Sequence, residues 1–250
     1  MDDRSTRHGL EPAGPRWSDT RGYDRVPVTE RTRIKICGLS DARQVEAAVA
    51  AGVDALGFVL VQASPRAVSV KQARGLTRQA PAGVACVGLF VDETVAAIVR
   101  SAEIAGFDTV QLHGSEPPSH VTALLERGLR VVKALPFKMD TLVEADAYLQ
   151  AGATLLWDTP PTPDAVLTGG SGHAFDWHRL GEFLRDRPHP AYLAGGLDAG
   201  NVASAVAAAR PFGVDVSSGV ERSRGLKDIG LIQSFCRAVR RADRLPEPAG

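Results

Sequence analysis

Short apolar runs of strand character recur eight times in this chain, near residues 33–37, 54–60, 84–90, 107–112, 130–135, 153–157, 190–193 and 212–216. Stretches with helical spacing separate most of them: Ala42 to Ala51, Val70 to Gln79, Thr94 to Ala105, Ser119 to Arg127, Asp140 to Ala151, Trp177 to Arg185 and Asn201 to Ala209. Asp228 to Ala242 supplies a last helix. Eight strand–helix units over about 215 residues fit an α/β fold of the (β/α)8 TIM-barrel type. A doubly wound open sheet is the structural rival, but it usually has fewer strands and a glycine-rich first turn. Gly38 alone is not that turn. Apolar runs such as Ala85 to Val91 suit parallel strands covered by helices.

The ends of the chain read differently. Residues 1 to about 30 are rich in Arg, Asp, Gly and Pro and lack a sustained apolar period. They read as a disordered extension, or as an oligomer contact. The expected organisation is therefore an extension over 1–31, one barrel domain over 32–243 and a loose tail over 244–250. The formal net charge is zero, which offers no general electrostatic attraction for nucleic acid or an anionic membrane. No apolar run approaches the length of a membrane span, and no secretory signal opens the chain. Three cysteines, odd in number and widely spaced, favour free thiols in a reducing compartment. A cytoplasmic protein is expected, as a monomer or homodimer.

In Arg33-Ile34-Lys35-Ile36-Cys37-Gly38, extended geometry puts Lys35 and Cys37 on one face and Ile34 and Ile36 on the other. An amine and a thiol thus reach the strand's C-terminal end, where barrels do chemistry. Other strand ends supply Ser64-Pro65-Arg66, Gln111 with His113, Asp158, and Asp215 between Val214 and Val216. Each has a plainer reading: Arg66 as a solvated loop residue, His113 as a cap before Gly114, Asp158 as a turn initiator. Asp215 is harder to set aside, because a carboxylate inside a barrel needs a partner. Closure makes strand 8 a neighbour of strand 1, so Asp215 should pair with Lys35. Glycine loops after strand 6 (Gly169-Gly170-Ser171-Gly172), strand 7 (Gly195-Gly196) and strand 8 (Ser218-Gly219) suit backbone binding of phosphate. Glycine turns also occur for geometric reasons alone. No Cys/His cluster has zinc spacing.

Taken in series, these segments resemble the phosphoribosylanthranilate isomerases. The match runs from Lys35-Ile36-Cys37-Gly38 through Asp54-Ala55-Leu56-Gly57-Phe58, Ser64-Pro65-Arg66, Gly88-Leu89-Phe90-Val91, Gln111-Leu112-His113-Gly114 and Asp158-Thr159. It ends with Leu193-Ala194-Gly195-Gly196-Leu197 and Asp215-Val216-Ser217-Ser218-Gly219-Val220-Glu221. The resemblance implies an Amadori rearrangement in tryptophan biosynthesis, from N-(5-phosphoribosyl)anthranilate to 1-(2-carboxyphenylamino)-1-deoxyribulose 5-phosphate. It implies Cys37 as general base and Asp158 as general acid, with Arg66 and His113 near the anthranilate carboxylate and Asp215 near the sugar hydroxyls. Gly195, Gly196, Ser218 and Gly219 would hold the phosphate. The expected partner is a small phosphosugar, with no cofactor and no metal. For this chemistry Asp158 must titrate above the usual carboxyl value of about 3.9, and Cys37 below about 8.5. Burial or a nearby anion is expected to raise the first, against Arg66, and Lys35 or the surrounding dipoles to lower the second. The rivals are a histidine-pathway ketolisomerase, which would carry aspartate at the position of Cys37, and a non-catalytic phosphosugar binder.

Overall fold

The computed structural model describes residues 31–160 and 176–244. The expected extension up to residue 30, the glycine loop at 169–172 and the tail from residue 245 lie outside the described residues. Eight parallel strands close into a barrel in chain order. They are β1 (Arg33–Cys37), β2 (Ala55–Val59), β3 (Ala85–Phe90), β4 (Thr109–Leu112), β5 (Arg130–Pro136), β6 (Thr154–Asp158), β7 (Ala191–Leu193) and β8 (Gly213–Val216). Between and after them come α1 (Ala42–Ala50), α2 (Val70–Thr77), α3 (Val95–Ala105), α4 (Pro118–Leu125), α5 (Met139–Gln150), α6 (Trp177–Asp186), α7 (Val202–Ala209) and α8 (Ile229–Ala242). Each element expected from the sequence is present, with ends moved by a residue or two.

Local chemistry explains where the helices begin. Asp41, Thr94, Asp176 and Asp228 accept backbone N–H groups of the first turns of α1, α3, α6 and α8. Ser69 and Gln72 form a reciprocal capping box at α2. Along the strands, alternate residues go to different layers. Ile34, Ile36, Leu56, Phe58, Val110, Leu112, Leu155, Trp157, Val214 and Val216 join the large cluster shared with the helices. The intervening residues, among them Val132, Ala134, Leu156, Tyr192 and Ala194, form a separate cluster inside the barrel. At the N-terminal mouth, Asp54 accepts the Ile34 N–H at 2.9 Å and meets Arg31, Arg33 and Arg240 at 2.6, 3.3 and 3.4 Å. Arg31, assigned to the extension from sequence, is thus tied to the barrel.

Between β8 and α8 the structure adds an element that the sequence reading passed over. A single 3-10 turn (Ser218–Val220) leads into the antiparallel pair β9 (Glu221–Ser223) and β10 (Leu226–Lys227). Strands this short carry no readable alternation. Among the described residues, no helix is long and apolar enough to cross a membrane.

Candidate active site

Barrel closure sets β8 against β1 with Asp215 directly opposite Lys35. The Lys35 Nζ donates to Asp215 Oδ1 at 2.9 Å, and both side chains are almost fully buried. The pairing expected from the sequence is therefore present. Burial alone would push the Lys35 ammonium down, but Asp215 and Cys37 beside it outweigh that and hold it above its ordinary value. Cys37 lies one pleat further along the same face, 5% exposed. Here the expectation fails: burial pushes the thiol above its ordinary range, and the pull of Lys35 and Lys227 toward the thiolate does not overcome it. Asp215 adds to the rise. Charge pairing between Lys35 and Asp215 cancels much of the field that a lone lysine would exert.

Asp158 ends β6 with 8% exposure. Burial pushes its carboxyl up to about 6, with Asp215 adding to the rise. What opposes the shift is the Thr159 N–H, donated to Oδ1 at 2.7 Å, and Lys35, rather than Arg66. His113 Nε2 lies 3.6 Å from Asp158 Oδ2. Burial, helped by Lys35 and Lys133, pushes the imidazole down to about 4, so at neutral pH this is a contact of a neutral ring with the carboxyl. The Gln111 amide Nε2 sits 2.9 Å from His113 Nδ1. With the amide donating, the neutral ring carries its proton on Nε2, toward Asp158.

The loops after β7 and β8 complete the rim. Gly195 and Gly196 both take positive φ, and a Cβ on Gly195 would collide with the Thr159 hydroxyl and backbone N. Asn201, at the start of α7, donates to the Gly196 carbonyl at 2.8 Å. Ser218 lines the pocket, whereas Gly219 packs flush against the Leu197 backbone, where no side chain fits. Arg66 reaches in from the loop after β2, its Nε and Nη2 donating to Glu221 at 2.7 and 3.0 Å. Glu221 and Lys227 were not among the candidate residues. Glu221 closes the Asp215-to-Glu221 stretch of the resemblance and Lys227 is one charged residue after the Arg224-Gly225 turn, but nothing in the sequence ties Glu221 to Arg66, 155 positions away.

Cys37, Arg66, His113, Asp158, Asp215 and Ser218, together with Gly195 and Gly196, line one pocket at the C-terminal ends of the strands. Among the described residues, no group of three or more His, Cys, Asp or Glu is arranged to hold a metal ion. A closed parallel barrel with one polar pocket at the C-terminal ends of its strands has the architecture of the (β/α)8 enzymes. The family model described as N-(5'phosphoribosyl)anthranilate (PRA) isomerase matches residues 34–238. The N-(5'-phosphoribosyl)anthranilate isomerase of Azorhizobium caulinodans is 44% identical over 220 residues, covering 86% of this chain and 95% of its own. The crystal structure of the phosphoribosyl anthranilate isomerase from Thermotoga maritima superposes with a TM-score of 0.76 at 36% identity, covering 84% of this chain and 98% of that one. A second crystal structure, of a phosphoribosyl anthranilate isomerase in complex with reduced 1-(o-carboxyphenylamino)-1-deoxyribulose 5-phosphate, gives a TM-score of 0.73 at 35% identity over the same shares. This chain belongs to the N-(5'-phosphoribosyl)anthranilate isomerase family.

Proposed function

We propose that this chain converts N-(5-phosphoribosyl)anthranilate to 1-(2-carboxyphenylamino)-1-deoxyribulose 5-phosphate, an aldose–ketose isomerisation in tryptophan biosynthesis. The observation that carries the reading is that Cys37 and Asp158, from strands β1 and β6, line the same pocket with both side chains largely withdrawn from water. In the first step Asp158, as the neutral acid, gives its proton to the furanose ring oxygen while the anthranilate nitrogen forms an iminium at C1. Its burial favours that neutral form, and so do the substrate's anionic groups. In the second step the Cys37 thiolate removes the C2 proton, giving an enolamine that tautomerises to the ketone. Lys35 and Lys227 favour the thiolate and burial opposes it, so the fraction of enzyme that carries Cys37 as thiolate is the fraction that reacts.

The remaining assignments follow the pocket. The backbone around Gly195 and Gly196, ahead of α7, and around Ser218 and Gly219 would hold the phosphate. Arg66 would take the anthranilate carboxylate, with His113 as a neutral donor nearby, and Asp215 would meet the sugar hydroxyls. Remote grip on the phosphate positions the reacting carbons. The free, buried state of Cys37, Cys86 and Cys236 supports work in a reducing compartment such as the cytoplasm. The test is the loss of fluorescence from freshly made phosphoribosylanthranilate on adding the protein, run beside the aminoaldose of the histidine pathway. Turnover of the first substrate alone supports the reading. Turnover of the second alone, or binding without product, overturns it.

A further inference from the structure

The mechanism above gives Arg66 a substrate contact but leaves its buried partner Glu221 without a task. Arg66, Glu221 and Lys227 come from the β2 loop, β9 and β10, and the Glu221 and Lys227 side chains are 4% and 0% exposed. Glu221 accepts four hydrogen bonds. Its Oε1 takes Arg66 Nε and Lys227 Nζ, both at 2.7 Å, and its Oε2 takes Arg66 Nη2 at 3.0 Å and the Gly225 N–H at 3.1 Å. Lys227 spends its other donors on Ser217, at 2.9 Å to the carbonyl and 3.1 Å to the hydroxyl. The Ser217 hydroxyl in turn donates to the Cys37 carbonyl at 3.0 Å. A continuous chain of hydrogen bonds thus joins the arginine to the strand end that carries the thiol.

We infer that Glu221 is a positioning residue that aims Arg66 at the substrate's aryl carboxylate, and that Lys227 fastens this clamp to the end of β1. The inference rests on the functional reading above. A guanidinium offers two edges suited to a carboxylate: the side edge, Nε with Nη2, and the end edge, Nη1 with Nη2. Glu221 fills the side edge. The end edge has no partner among the described residues, and Arg66 lines the pocket. An arginine held on one edge is oriented before substrate arrives, which removes the cost of ordering a long side chain on binding. Burial opposes ionisation of Glu221, yet Arg66 and Lys227 together push its carboxyl down to about 2, so the clamp stays charged at any working pH. A buried ion pair is weak evidence for stability alone, which leaves its place beside Arg66 to be accounted for.

The experiment compares kcat and KM for phosphoribosylanthranilate and for the carboxylate-free phosphoribosylaniline, in wild type and in Glu221→Gln. Losing a charge-assisted contact at the clamp should cut the ratio of the two kcat/KM values by about tenfold or more, chiefly through KM for the carboxylated substrate. This ratio does not depend on the fraction of enzyme that is folded, so destabilisation cannot imitate the effect. If Glu221→Gln yields no protein, Glu221→Asp, too short to reach both guanidinium nitrogens, should move the ratio in the same sense. An unchanged ratio, with both substrates losing equally, overturns the inference and makes the cluster a hairpin fastening. Equal use of both substrates by wild type overturns it too, while leaving the isomerase reading intact. A wild type that turns over neither removes the isomerase reading itself.

Discussion

Replacing Asp158 by Asn should make this protein more stable and almost inactive, with one carboxyl group responsible for both effects. Burial displaces that carboxyl from 3.8 to about 6, so the folded state holds its proton more tightly than the unfolded state does. Below pH 3.8 both states are protonated and the aspartic acid costs the fold nothing. As pH rises from there through about 6, the unfolded chain ionises freely while the folded chain must ionise inside the barrel. Stability falls across that window and the deficit is complete above it, at up to about 3 kcal/mol. Asparagine is neutral at every pH, and its Oδ1 can still accept the Thr159 N–H. The variant should therefore match wild type near pH 3.5 and exceed it at pH 7 by roughly 5 to 10 °C in Tm for a domain of this size. Turnover should fall by at least about 10²-fold, the lower range for a general acid. Thermal melts of both proteins from pH 3.5 to pH 8, with kcat and KM at pH 7, supply the readouts. Equal melting temperatures throughout, or a variant that is weaker at pH 7, would refute the claim that Asp158 is held toward its neutral form. A collapse of affinity with the rate retained would make it a binding group and put the acid elsewhere.

Other expectations concern its neighbours. The working enzyme needs thiolate at Cys37 and acid at Asp158, whereas between pH 6 and 9 the free enzyme mostly carries the thiol and the carboxylate. The kcat/KM profile should therefore rise up to about pH 6, run level, and decline only where the thiol ionises in the alkaline range. A decline beginning at pH 6 would mean that the thiol is already ionised below it. Lys35→Met strands Asp215 as an unpaired buried carboxylate and should cost about 3–5 kcal/mol in denaturant unfolding, most of it recovered in Lys35→Met/Asp215→Leu. A single variant within about 1 kcal/mol of wild type would show that the pair contributes little to holding β1 against β8.

Much of the fold was legible because its signals are local and periodic. Ile34 and Ile36 alternate with Lys35 and Cys37, and a parallel barrel admits only one direction for such a strand to deliver a thiol. The Lys35–Asp215 pair was legible for a topological reason, since closing eight strands makes the last a neighbour of the first. The acidity of Cys37 was not legible. It depends on how far burial outweighs two lysines, and Asp215, the same residue that pairs with Lys35, weakens their effect. The contact between His113 and Asp158 crosses the barrel mouth from β4 to β6, so no spacing along the chain announces it. Glu221 and Lys227 were missed because β9 and β10 are too short to show a period and their partner Arg66 lies in the loop after β2.

The most direct trial of the mechanism is the rate at which Cys37→Ala consumes phosphoribosylanthranilate, followed by fluorescence and corrected for the substrate's spontaneous decay. With the thiol as the base that takes the C2 proton, turnover should drop by at least about 10²-fold while the melting curve still reports a folded barrel. A folded Cys37→Ala protein that turns over at close to the wild-type rate would contradict the assignment of proton abstraction to β1.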